Sequence, residues 1–136
     1  MNRTIIAGIE TTLRSTVEEF LDVVLVVLFG STVSGRLRND SDIDIAIAGN
    51  SPFSWDRLQE IRTALSKALH REIDLVDLNV SEGMIRHQAL TKGRVIVVKN
   101  RRLLARLMTD VVYFAADMLP LMTMVFKLRT RRFING

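Results

Sequence analysis

GSTVSGRLRNDSDID, residues 30–44, sets a glycine-serine turn ten residues ahead of two aspartates separated by one isoleucine. The run DIDIAIA at 42–48 alternates acid and aliphatic before turning to small residues, which predicts a strand with one wet face at its start. On that strand Asp42 and Asp44 share a face, while Ile43, Ile45 and Ile47 face the core. Two like charges held side by side cost free energy unless a cation or a proton lies between them.

Working outward, VVLVVLF at 23–29 is continuous, apolar and β-branched, as in a strand buried on both faces. Gly30-Ser31 ends it, and a short helical turn is expected over 31–37. Upstream, Ile5, Ile6, Ile9, Leu13, Val17 and Phe20 fall at helical spacing over 3–20. Downstream, 54–69 reads as an amphipathic helix with Ser54 as N-cap, Leu58, Ile61, Leu65 and Leu69 on its stripe, and Trp55 in the core or a staple. EIDLVDL at 72–78 reads as a third strand, and Ser81 is expected to cap a helix to about 91 with Glu82 and Gly83 in its first turn. RVIVV at 94–98 reads as a short fourth strand or an extended segment. From 101 to about 131 the pattern is helical, with Pro120 expected to kink or break it near 116–119. The class is α/β (α+β): a small sheet flanked by helices, with acids clustered at strand ends.

The chain has 136 residues, enough for one domain with a real core, and no cysteine, which excludes a disulfide scaffold and a thiolate metal site. Its start carries acids and no long apolar run, so a signal peptide is not expected. The apolar runs VVLVVLFG and MLPLMTMVF are each too short to span a bilayer, so a cytoplasmic protein without a membrane segment is expected. Residues 1–92 hold 10 Lys and Arg against 13 Asp and Glu, whereas residues 93–136 hold 9 against 2. A basic tail can meet nucleic acid or an acidic partner, or simply be a solvated helix rim, and direct nucleic-acid binding is not expected. The apolar residues of 111–126 surround their helix, so it must be buried on more than one side, under helix 1 or a partner.

Two carboxylates on one face suit Mg²⁺, which takes one or two carboxylates together with waters and phosphates. Asp74 in EIDLVDL has the same parity and completes a three-carboxylate cluster if its strand neighbours the first; Asp77 falls on the opposite face. Gly30 lets the backbone approach a ligand closely, the amides opening the turn point at anions, and the Ser31 hydroxyl can donate to a phosphate. Such a set fits in-line displacement at a nucleotide phosphate. His70 and His87 have no partner at ligand spacing. Asp40 reads as a turn cap, and Ser41 as a local hydrogen-bonder with no base nearby.

GSTVSGRLRNDSDIDIAI, with the EIDLVDL strand and MIRHQALTKGRVIVVKN after it, resembles the DNA polymerase β-type nucleotidyltransferase superfamily, in particular the minimal nucleotidyltransferases. The resemblance covers residues 20–100 as a catalytic core and 101–136 more loosely, as a C-terminal helical segment of the same single domain. It implies that Gly30 and Ser31 hold nucleotide phosphates, that Asp42 and Asp44 bind catalytic Mg²⁺, and that Asp74 is the third carboxylate, orienting or deprotonating the acceptor hydroxyl. ATP would be the AMP donor. The partner would be a HEPN-domain toxin, modified on a tyrosine by this chain as antitoxin of a type VII-like pair. Relatives often carry arginines where this chain has Thr32 and Ser34; Arg36 and Arg38 are the candidates to compensate. The alternatives are adenylylation of a small-molecule hydroxyl and a non-catalytic antitoxin that neutralises its toxin by binding.

Overall fold

The computed structural model describes residues 2–35 and 42–135. Helix α1 (Asn2–Val17) leads into strand β1 (Leu25–Phe29), a short helix α2 (Ser31–Ser34) and strand β2 (Ile43–Ala48). Then follow α3 (Trp55–Leu69), β3 (Ile73–Asp77), α4 (Met84–Lys92), β4 (Arg94–Val98) and α5 (Arg101–Asn135). This is the element order expected from the periodicity.

The strands form one mixed sheet in the order β3-β2-β1-β4. β1 is antiparallel to both neighbours, and β2 and β3 are parallel, joined by the crossover helix α3. β1 is buried at every position, as its continuous apolar sequence requires. One face of the sheet presents Val26, Leu28, Ile43, Ile45 and Ile47 to Leu13 and Val17 of α1 and Ile61 and Leu65 of α3. The other presents Leu25, Val27, Ala46 and Ala48 to Ala89 and Leu90 of α4 and Leu103, Leu107 and Val111 of α5. The small residues at 46 and 48 therefore lie beneath helices rather than solvent.

Buried Asp77 clamps the connections at the far end of β3. Its carboxylate accepts from Phe53 N and from Asn79 N, both at 2.9 Å. Arg86 ties α4 down by donating to Leu78 O at 2.6 Å and pairing with Asp110 of α5 at 3.5 Å. Ser54 caps α3 as expected, accepting from Arg57 N at 3.1 Å.

Four expectations are corrected. Trp55 is 74% exposed: its first-turn position extends past the core that Ile61 and Leu65 meet. Ser81 does not cap α4; its hydroxyl donates to Asp77 O at 2.8 Å, and the cap is Gly83, at φ 65°. α5 is not broken at Pro120, which lies on an exposed stretch where water can satisfy the carbonyl that proline leaves without a donor. Finally, among the described residues α5 is buried on one side only, through its own Leu103, Leu107 and Val111, and its outer half is exposed, with Phe126 at 70%. Being continuous, this helix adds the apolar runs on either side of Asp117, and over Arg101–Arg129 it is long and apolar enough to cross a membrane. Its first turns nevertheless belong to the folded core, held by the Arg86–Asp110 pair.

Candidate active site

The ten-residue spacing has a simple structural cause. β1 ends where antiparallel β2 begins, with Phe29 opposite Asp44, so the turn at Gly30 lies beside the first acids of β2. The contact is close. Gly30 has φ 72°, and a Cβ built there would come within 2.9 Å of Asp44 Cγ and 3.2 Å of Asp44 Cβ. Only glycine fits, for conformation and for space. Val33 N and Ser34 N both donate to Gly30 O, which closes the turn.

On the other side of β2, the parallel register sets Asp44 directly beside Asp74. The strand adjacency on which the three-carboxylate reading depended is thus present. Asp44 is half-buried and Asp74 exposed. Burial raises the Asp44 carboxyl from 3.8 to about 6, and the charge of Asp74, a hydrogen bond with it, and the charge of Asp42 all push the same way. Asp42, one residue ahead of β2, is exposed.

Among the described residues no three His, Asp or Glu converge into a preformed metal cage. The donor chemistry still fits a hard divalent cation. Asp44 and Asp74 are crowded oxygen ligands whose repulsion a cation would relieve, and Mg²⁺ needs only one or two carboxylates when phosphates and waters complete its shell. Arg36, Arg38, Asp40 and Ser41 lie outside the described residues. Thr32 is fully buried, and Ser34 donates to Ser31 O at 3.3 Å. His87 packs its ring 6.0 Å from that of Phe114, and His70 closes α3 at φ 55°; neither joins the acids.

Beside the turn is a cavity of about 550 Å³ lined by Gly30, Ser31, Val33, Ser34, Gln88 and Lys92. The last two come from α4, and nothing in their sequence spacing connects them to Gly30.

The raised Asp44 carboxyl has a consequence for stability. Its folded-state pKa lies above the ordinary value, so between about pH 4 and 6 the folded protein holds more proton than the unfolded chain. That stabilisation is complete below the ordinary pKa and is lost as pH rises through about 6. In metal-free protein Asp44→Asn is expected to raise Tm at pH 7.5 by about 2–5 °C, from about 1 kcal/mol after allowing for solvent screening. At pH 4 it should change Tm little. Calorimetry with a chelator checks this, and an equal gain at both pH values would remove charge as the cause.

A family model described as polymerase beta, nucleotidyltransferase matches residues 11–102. The chain is 34% identical over 70 residues to the protein adenylyltransferase MntA of Shewanella oneidensis, across 52% of this chain and 50% of that protein. It thus spans about half the length of the curated relative it matches. Among solved structures it resembles a toxin-antitoxin crystallised with AMP-PNP, with TM-score 0.70 and 22% identity over 86% of this chain and 98% of that one. It also resembles a chain from the complex of tri-AMPylated Shewanella oneidensis HEPN toxin with MNT antitoxin, with TM-score 0.61 and 22% identity over 93% and 99%. At these identities the likeness establishes a shared fold. With 92 of its 136 residues inside the family model, the chain belongs to the polymerase β nucleotidyltransferase family.

Proposed function

We propose that this chain is an ATP- and Mg²⁺-dependent protein adenylyltransferase that moves AMP onto a hydroxyl, a tyrosine of a cognate HEPN-domain toxin, and so acts as its antitoxin. The observation that carries this reading is the meeting of Asp44 with both Gly30 and Asp74, which brings a phosphate turn and a carboxylate pair to one point. The family membership and the protein adenylyltransferase named among the relatives support it.

In the reaction the acceptor oxygen bonds to the α-phosphorus of ATP, the bond from that phosphorus to the pyrophosphate oxygen breaks, and pyrophosphate leaves. Gly30 and Ser31 hold the departing phosphates in line, Ser31 by donating its hydroxyl. Asp74, the exposed member of the pair, orients the acceptor hydroxyl and takes its proton in this reading. Asp42, Asp44 and Asp74 would hold Mg²⁺, which supplies neutralisation of the charge on the phosphates. The domain is one unit, with residues 20–100 as catalytic core. Its ATP requirement assigns it to the cytoplasm.

The exposed outer face of α5, with Leu121, Met122, Met124, Val125 and Phe126, is the surface for the toxin. That same face supports a second reading, in which the chain neutralises its partner by occlusion alone. The two differ in stoichiometry and persistence. A toxin neutralised by transfer should stay inactive after this protein is removed, carry the added mass of AMP, and be protected against by substoichiometric amounts. Occlusion needs equimolar protein and reverses on dissociation. Equimolar, reversible protection with no AMP on the partner by mass spectrometry would discard the catalytic reading.

A further inference from the structure

Among the described residues, the turn that holds phosphates in the proposed function, Gly30 to Gly35, carries no positively charged side chain. Thr32 is fully buried and the Ser34 hydroxyl is turned onto Ser31 O, and neither side chain carries a charge. A nucleoside triphosphate would bring several further negative charges to a site already occupied by Asp42, Asp44 and Asp74. Something must offset them, beyond the divalent cation.

We propose that Lys92, with Gln88 one turn before it, is the cationic wall of the phosphate subsite and binds the β- and γ-phosphates of the nucleotide from α4. Both residues line the cavity of about 550 Å³ whose other wall is Gly30, Ser31, Val33 and Ser34. They are four apart and so share one helix face, while Ala89 and Leu90 anchor α4 in the core. The position of Lys92 is fixed by its neighbour. Gly93 presses on β1 so closely that a Cβ there would come 2.6 Å from Val27 Cγ1, which pins the end of α4 alongside the strand that leads into the turn. Among the described residues the Lys92 ammonium has no ion-pair or hydrogen-bond partner, so it is available to a ligand. The cavity is of a size that accepts a small ligand.

This inference rests on the nucleotidyltransferase reading, and its test separates the two. Calorimetric titration with AMP-PNP and with AMP, each with Mg²⁺, is made on wild type, Lys92→Ala and Lys92→Arg. Lys67→Ala, at an exposed position of α3 across the sheet, serves as control. Loss of a charged contact predicts that Lys92→Ala weakens AMP-PNP about ten- to a hundredfold but AMP by less than about threefold. Lys92→Arg should restore AMP-PNP to within about threefold of wild type, since either cation can meet a phosphate. Wild-type affinity for AMP-PNP in Lys92→Ala, or equal losses for AMP-PNP and AMP, would overturn the assignment of Lys92 alone. Failure of wild type to bind AMP-PNP would overturn the nucleotidyltransferase reading and this inference with it.

Discussion

Asp42→Asn/Asp44→Asn is expected to lower the proposed AMP transfer by at least about a thousandfold while the protein stays folded and still binds the proposed toxin partner. Removing a single preorganised electrostatic contact from a catalytic site commonly costs a hundred- to a thousandfold, and this variant removes two carboxylates. Asn keeps the shape of Asp but has no charge with which to hold a divalent cation. The fold should not suffer. Asp44 is held in an unfavourable ionisation, pushed up to about 6 by burial and by Asp74 and Asp42, so neutralising it relieves strain rather than creating it. The apolar outer face of α5 is untouched, which keeps partner binding as an internal control. Labelled AMP incorporated from ATP, measured beside binding and Tm, gives all three readouts on one sample. Full transfer activity in the double variant would remove the acids from the chemistry.

The order of the elements was legible because their hydrophobic periods are unambiguous. The continuous VVLVVLF could hardly be other than a buried strand, and the alternation in DIDIAIA fixed which side of β2 carries the acids. Parity also placed Asp74 and Asp77 correctly on opposite faces, with Asp77 turning out to be a buried clamp rather than a ligand. Adjacency was not legible. That β3 lies next to β2, with Asp74 beside Asp44, is a property of strand order, and strand order is set by how α3 crosses the sheet. The same limit hid Gln88 and Lys92, which come to Gly30 only through the packing of α4 on β1. The errors at Trp55 and Ser81 have local causes. A helical stripe marks a face but not where the core stops along it, and Ser81 satisfies a turn carbonyl instead of a helix end.

Gly30→Ala is expected to lower transfer more than about a hundredfold and stability by about 1–3 kcal/mol. The backbone at φ 72°, ψ −144° belongs to a region that essentially only glycine enters. The added Cβ would also crowd Asp44 at Cγ and at its own Cβ, so the carboxylate cannot escape by swinging its far end alone. Strain and displacement can be separated with Gly83→Ala. Gly83 has nearly the same backbone, φ 65°, ψ −131°, but a Cβ there meets nothing closer than the Phe114 ring at 3.7 Å. That variant should lose comparable stability yet keep its activity when folded. Ser31→Ala, which removes one hydroxyl from a tolerant backbone, should weaken nucleotide binding about ten- to a hundredfold with little change in Tm. The expected ranking in activity is therefore Gly30→Ala lowest, Ser31→Ala intermediate and Gly83→Ala near wild type, each measured at a temperature where calorimetry shows the variant folded. If Gly83→Ala loses as much activity as Gly30→Ala, backbone strain alone accounts for the loss. If Gly30→Ala retains activity, close approach of that turn to Asp44 has no part in the chemistry.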